Sequence, residues 1–97
     1  MKNLIDKIQL KKLCKRNHIR RLAIFGSAIH DDIAPNSDLD VLVEFEPGHT
    51  PGFQFFEIEE ELSKLAGRRV DLNTPGFLSR YFRDKVIGEA KVQYVSS

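Results

Sequence analysis

The sequence predicts a small α/β (α+β) domain, one mixed β-sheet packed with helices, and three observations predict it. Apolar residues recur at helical spacing in two stretches, residues 4–15 and 53–66. Short apolar runs, RLAIF, LDVLVEF and RVDL, alternate with them and stop at turn-forming residues. The resulting order, helix, strand, turn, strand, helix, strand, helix, suits a single sheet backed by helices.

Leu4, Ile5, Ile8 and Leu13 mark the apolar face of the first helix, with Asn3 as its cap. Asn17-His18 breaks that pattern. RLAIF, residues 21–25, reads as a buried strand that ends abruptly in a turn at Gly26-Ser27. Residues 28–37 carry Asp31, Asp32, Pro35, Asn36 and Ser37 and read mostly as loop. Leu39–Phe45 is the clearest strand: Leu39, Val41, Val43 and Phe45 share one face, and Asp40, Leu42 and Glu44 share the other with Asp38. Glu44 reads as a solvated strand-end glutamate.

A Pro/Gly loop over residues 46–52 precedes the second helix, which Gly67 stops. Its phenylalanines Phe53, Phe55 and Phe56 could form a partner-facing patch, but at helical spacing some of them belong to the core, with one left exposed. RVDL is a third strand, and Thr74-Pro75-Gly76 opens a last helix reaching about Ile87. Arg80 and Arg83 there read as a solvated basic face beside core aromatics Tyr81 and Phe82. Lys91–Val95 is a short edge strand.

Ninety-seven residues make one domain, residues 1–97, with no room for a separate recognition module. A macromolecular substrate must then be gripped by a partner or an oligomer. Fifteen basic and fourteen acidic residues nearly cancel, to +1, which disfavours direct nucleic-acid binding. Basic residues nevertheless crowd the start (Lys2, Lys7, Lys11, Lys12, Lys15, Arg16, Arg20, Arg21), as a solvated helix face or a docking surface for an acidic partner. Cys14, the sole cysteine, excludes an internal disulfide and a cysteine-rich zinc site, and reads as a packed helix position. His18 and His49 fall in breaks without zinc-ligand spacing and are assigned no role. Without a signal-peptide pattern or a membrane-length apolar run, a soluble cytoplasmic protein is expected, with no membrane partner.

The chemistry concentrates in Gly26, Ser27, Asp38, Asp40 and Asp71. Two apart at a strand start, Asp38 and Asp40 face the same way, about 6–7 Å apart along the chain. Two negative charges roughly 5–6 Å apart repel by about 3 kcal/mol at an effective dielectric of 20. If the strand bearing Asp71 lies beside them, a third carboxylate converges, and a hard divalent cation relieves the repulsion. Oxygen-only donors suit magnesium. Across from them, Gly26 lets a backbone approach a ligand closely, and Ser27 adds a hydroxyl and an N–H, as phosphate-binding turns do. Carboxylates opposite such a turn fit a metal-bound triphosphate.

Gly-Ser, ten residues, Asp-x-Asp, within FGSAIHDDIAPNSDLDVLVEF, resembles the signature of the minimal nucleotidyltransferases of the DNA polymerase beta superfamily. RVDLNTP around Asp71 resembles the family's third-carboxylate strand. The resemblance spans roughly residues 20–95 and implies a polymerase beta-like nucleotidyltransferase core. It implies transfer of a nucleoside monophosphate, AMP from ATP, with two Mg2+ ions held by Asp38, Asp40 and Asp71 as metal and catalytic residues. Gly26 and Ser27 would seat the nucleotide's phosphates. It further implies a protein partner, a HEPN-type toxin neutralised by this antitoxin, or else a homo-oligomer. Where the family often has basic residues after Gly-Ser, this chain has Ala28, Ile29, His30, Asp31 and Asp32. That departure keeps open a second reading, a binding module of the same fold that masks its partner and hardly turns over.

Overall fold

The computed structural model describes residues 5–26, 37–77 and 80–96. Its elements run α1 (Lys7–Arg16), β1 (Ile19–Phe25), β2 (Leu39–Phe45), α2 (Gln54–Ala66), β3 (Val70–Asn73), a 3-10 turn (Pro75–Phe77), α3 (Arg80–Glu89) and β4 (Lys91–Val95). The strands form one mixed sheet in the order β3-β2-β1-β4. β1 pairs antiparallel with β2 and with β4, and β2 pairs parallel with β3 through the α2 crossover. The expected architecture is therefore the observed one.

The first helix begins later than the apolar pattern suggests, because Asp6 caps it, its carboxylate accepting the Ile8 N–H at 3.0 Å. Asn3 and Leu4 lie outside the described residues. Ile5, just before the cap, and Leu10, four residues into the helix, both enter the core, the positions of a hydrophobic staple. This phase buries Leu10, Leu13 and Cys14 and leaves Ile8 67% exposed, against the expected apolar face. Cys14 is packed as expected, and burial pushes its thiol pKa up to about 12.

Leu39, Val41 and Val43 are fully enclosed and meet Leu13, Leu22, Ile58 and Leu62 in one core cluster. Each such side chain contributes about 1.5–3 kcal/mol by leaving water. Leu42 is also buried, so the face it shares with Asp40 is polar only at its ends. Glu44 is not a solvated strand end: it accepts a 2.8 Å hydrogen bond from Arg20 and lies 3.9 Å from Arg21. Arg16 is engaged by Glu61. Part of the basic crowding at the start of the chain is thereby neutralised. Two of these phenylalanines stand out of the core rather than one, Phe53 just before α2 at 87% and Phe56 within it at 65% exposure. Tyr81, expected among core aromatics, is 97% exposed.

One pair of contacts fixes β3 in place. Its outward N–H groups, which no other described strand meets, donate to α2 side chains: Val70 to the Ser63 hydroxyl and Leu72 to a Glu59 carboxylate oxygen, both at 2.9 Å. Between those two anchors sits Asp71. Glu59→Ala should strand the Leu72 N–H and lower stability by about 1–3 kcal/mol, whereas Glu59→Gln keeps an acceptor and most of that stability. Urea unfolding of the three proteins measures this, and equal midpoints would remove the bond from the account.

Candidate functional site

The strand registers bring Gly26, Asp40 and Asp71 to one end of the sheet. Asp40 opposes Phe25 of β1 on one side and Asp71 of β3 on the other. Residues paired across neighbouring strands share a face, with backbones about 4.8 Å apart, so Asp40 and Asp71 project together. Asp38, just before β2, and Asp71, within β3, are exposed, while Asp40 is half-buried. The expected convergence of the three carboxylates follows from β3 lying beside β2. Their grouping is an open one, because the set of three metal-ligating groups within 4.8 Å of one another among the described residues lies elsewhere.

Gly26 ends β1 in the left-handed region, φ 66°, and its Cα faces the Asp40 carboxylate. A Cβ on residue 26 would lie 2.4 Å from Asp40 Oδ2, closer than side-chain atoms tolerate. Glycine is thus required twice, for the backbone turn and for the approach of the carboxylate. Ser27, Ala28, Ile29, His30, Asp31 and Asp32 lie outside the described residues.

Electrostatics mark Asp40 as the strained member. Burial raises its carboxyl pKa above the ordinary value, and the charges of Asp71 and then Asp38 push it the same way. A cation opposes both effects. The donor set, hard carboxylate oxygens on a shared face against a glycine that leaves room, fits a divalent ion such as magnesium better than a soft metal.

Elsewhere, Lys7, Lys11 and Lys15 line a groove of about 580 Å³ against Gln93, Tyr94 and Val95 of β4. His18 and His49, without zinc-ligand spacing in the sequence, come together in space: their rings stack at 4.0 Å, with Glu46 at 4.0 Å from His18. The missing signal was the β1–β2 register, which pairs Ile19 with Phe45 and so brings their outer neighbours, His18 and Glu46, together. Among the described residues no helix is long and apolar enough to cross a membrane.

The family model described as a nucleotidyltransferase domain matches residues 7–94. A candidate protein adenylyltransferase of Methanocaldococcus jannaschii is 40% identical over 81 residues, covering 81% of this chain and 81% of that protein. Among solved structures, a candidate minimal nucleotidyltransferase aligns with a TM-score of 0.73 at 33% identity, over 87% of this chain and 85% of the other. A chain from the complex of tri-AMPylated Shewanella oneidensis HEPN toxin with its MNT antitoxin shares the fold, with a TM-score of 0.65 at 18% identity over 93% of this chain and 70% of that one.

Proposed function

Because the chain belongs to the nucleotidyltransferase domain family, in its minimal branch, we propose that it transfers AMP from ATP to a hydroxyl of a HEPN-type toxin and thereby acts as the antitoxin. The observation that carries the reading is the register pair Asp40–Asp71, with Asp40 pressed against Gly26. Such a row of acids has an unfavourable charge unless the site binds cations. Adenylyltransferase relatives and the AMPylated HEPN–MNT complex support both the reaction and the partner class.

Asp38 and Asp40 would hold two magnesium ions, and Asp71 one of them. Bound there, the ions would neutralise the triphosphate and stabilise the charge of departing pyrophosphate. The partner hydroxyl oxygen forms a bond to the α-phosphorus, the bond to pyrophosphate breaks, and Asp71 assists removal of the hydroxyl proton. Gly26 leaves the backbone free of side-chain bulk beside Asp40, and Ser27 follows it to seat the β- and γ-phosphates.

Incubating the protein with a HEPN partner from its own host, ATP and magnesium should raise the partner's intact mass by one or more AMP units. Loss of toxin activity should track that mass change. Neutralisation by the wild type with no added mass at any time would favour the masking module and end the enzymatic reading.

A further inference from the structure

We propose a second metal site, for a zinc-class cation, formed by His18, Glu46 and His49 at the end of the β1–β2 pair remote from the aspartates. The ligand-capable atoms of the three residues all lie within 4.8 Å of one another. The imidazole rings of His18 and His49 stack at 4.0 Å with only 17° between their planes, and His18 Nδ1 is 4.0 Å from Glu46 Oε2. Five residues of strand lie between Asp40 and Glu46, six steps of about 3.3 Å or about 20 Å, so the two sites are independent.

The backbone builds this cluster deliberately. The Glu46 N–H donates to the His18 carbonyl at 2.9 Å, and the His49 N–H donates to the Glu46 carbonyl at 3.0 Å. That second bond closes the turn Glu46-Pro47-Gly48-His49, with Gly48 at φ 82°, the geometry of a type II turn with proline and glycine at its two central positions. The turn folds His49 back over His18. His18 itself has φ 57°, and no other described residue besides glycine has a positive φ. It occupies the left-handed position after a helix end where glycine costs least. A histidine held in that conformation, stacked on a second and beside a carboxylate, places three ligands at a site that a glycine would leave with two.

Two imidazoles and one carboxylate suit Zn2+ and its neighbours in the first transition row, not Mg2+. Bonds of about 2.0–2.2 Å require the ligand atoms to close by roughly 1–1.5 Å, and the two stacked rings must fan apart so that a nitrogen of each points at the ion. His18, Glu46 and His49 are exposed or half-buried and can make that rotation. A cavity of about 350 Å³, lined by His18, His49, Thr50 and Gln54, adjoins the pair and leaves room for a water or an outside ligand in the remaining position. The buried thiol of Cys14 does not compete. A bound ion would pin the α1–β1 turn to the β2–α2 loop.

Calorimetric titration of the whole protein with Zn2+ alone, without nucleotide, tests the site. One high-affinity ion per chain is expected, distinct from weaker binding at the aspartates. His49→Ala and Glu46→Gln should each weaken it by at least the roughly 10–100-fold that loss of even an outer-shell partner costs. His49 is exposed in its loop, and circular dichroism checks that both variants fold. Asp38→Asn with Asp40→Asn should leave zinc affinity unchanged, which separates this site from the aspartates and from the proposed transfer reaction. Absence of saturable binding, equal affinity in His49→Ala, or loss of zinc in the aspartate double variant would each overturn the proposal.

Discussion

Asp40→Asn is expected to lower AMP transfer by at least about 10²–10⁴-fold, the range over which positioned charged and proton-transferring groups act, while making the folded protein more stable at neutral pH. Both effects come from the same position. Asp40 lies between Asp71 across β3 and the glycine at the end of β1, and its pKa is raised first by burial, then by Asp71 and Asp38. An acid whose folded pKa exceeds its unfolded one binds its proton more tightly in the folded state. Its contribution therefore falls as pH rises from the unfolded value through the raised folded value, and above that the ionised carboxylate opposes folding. In the wild type, stability should increase as pH drops into that window, and in Asp40→Asn this slope should disappear. Thermal unfolding against pH measures the slope, and the partner's mass measures transfer. A variant that still transfers AMP at the wild-type rate would remove Asp40 from the site.

Gly26→Ala should cut transfer nearly as far, although it deletes no functional group. The new methyl would lie 2.4 Å from Asp40 Oδ2, and φ 66° is unfavourable for alanine. The carboxylate must swing away or the turn must reshape, at a cost of about 1–2 kcal/mol for the left-handed backbone. A displacement of about 1 Å in a catalytic group can lose 10²-fold in rate. If the loss acts through Asp40, the two changes should be strongly non-additive: in an Asp40→Asn background Gly26→Ala should reduce transfer little further. Additive losses would instead assign Gly26 a separate role toward the phosphates.

Much of this was legible because the informative residues act locally. LDVLVEF is a strand at the expected bounds, Gly67 ends the second helix with φ 69°, and the spacing of Asp38 and Asp40 needs only strand geometry to set their shared face. The convergence of Asp71 needed one further fact, that β3 pairs parallel with β2 at Asp40. The phase of α1 escaped in part because the side-chain cap by Asp6 decides where the helix starts, and the apolar pattern alone favoured Ile8 over Leu10. Glu44 was misread for want of its cross-strand neighbours Arg20 and Arg21. His18 and His49 escaped more completely. They are 31 residues apart in sequence and meet only through an antiparallel register and a tight turn.

The side chains of Ser63 and Glu59 have a consequence for crowding as well as for the placing of β3. By taking the outward N–H groups of Val70 and Leu72 they stopper one margin of the sheet, and β4 alone remains as a margin among the described strands. Unpaired strand margins are where chains template one another. A molecule with two such margins can add copies without limit, whereas a molecule with one can only pair off. With the β3 donors held by α2, strand-to-strand addition among the described strands is directed to β4, a geometry that favours pairing over open-ended growth.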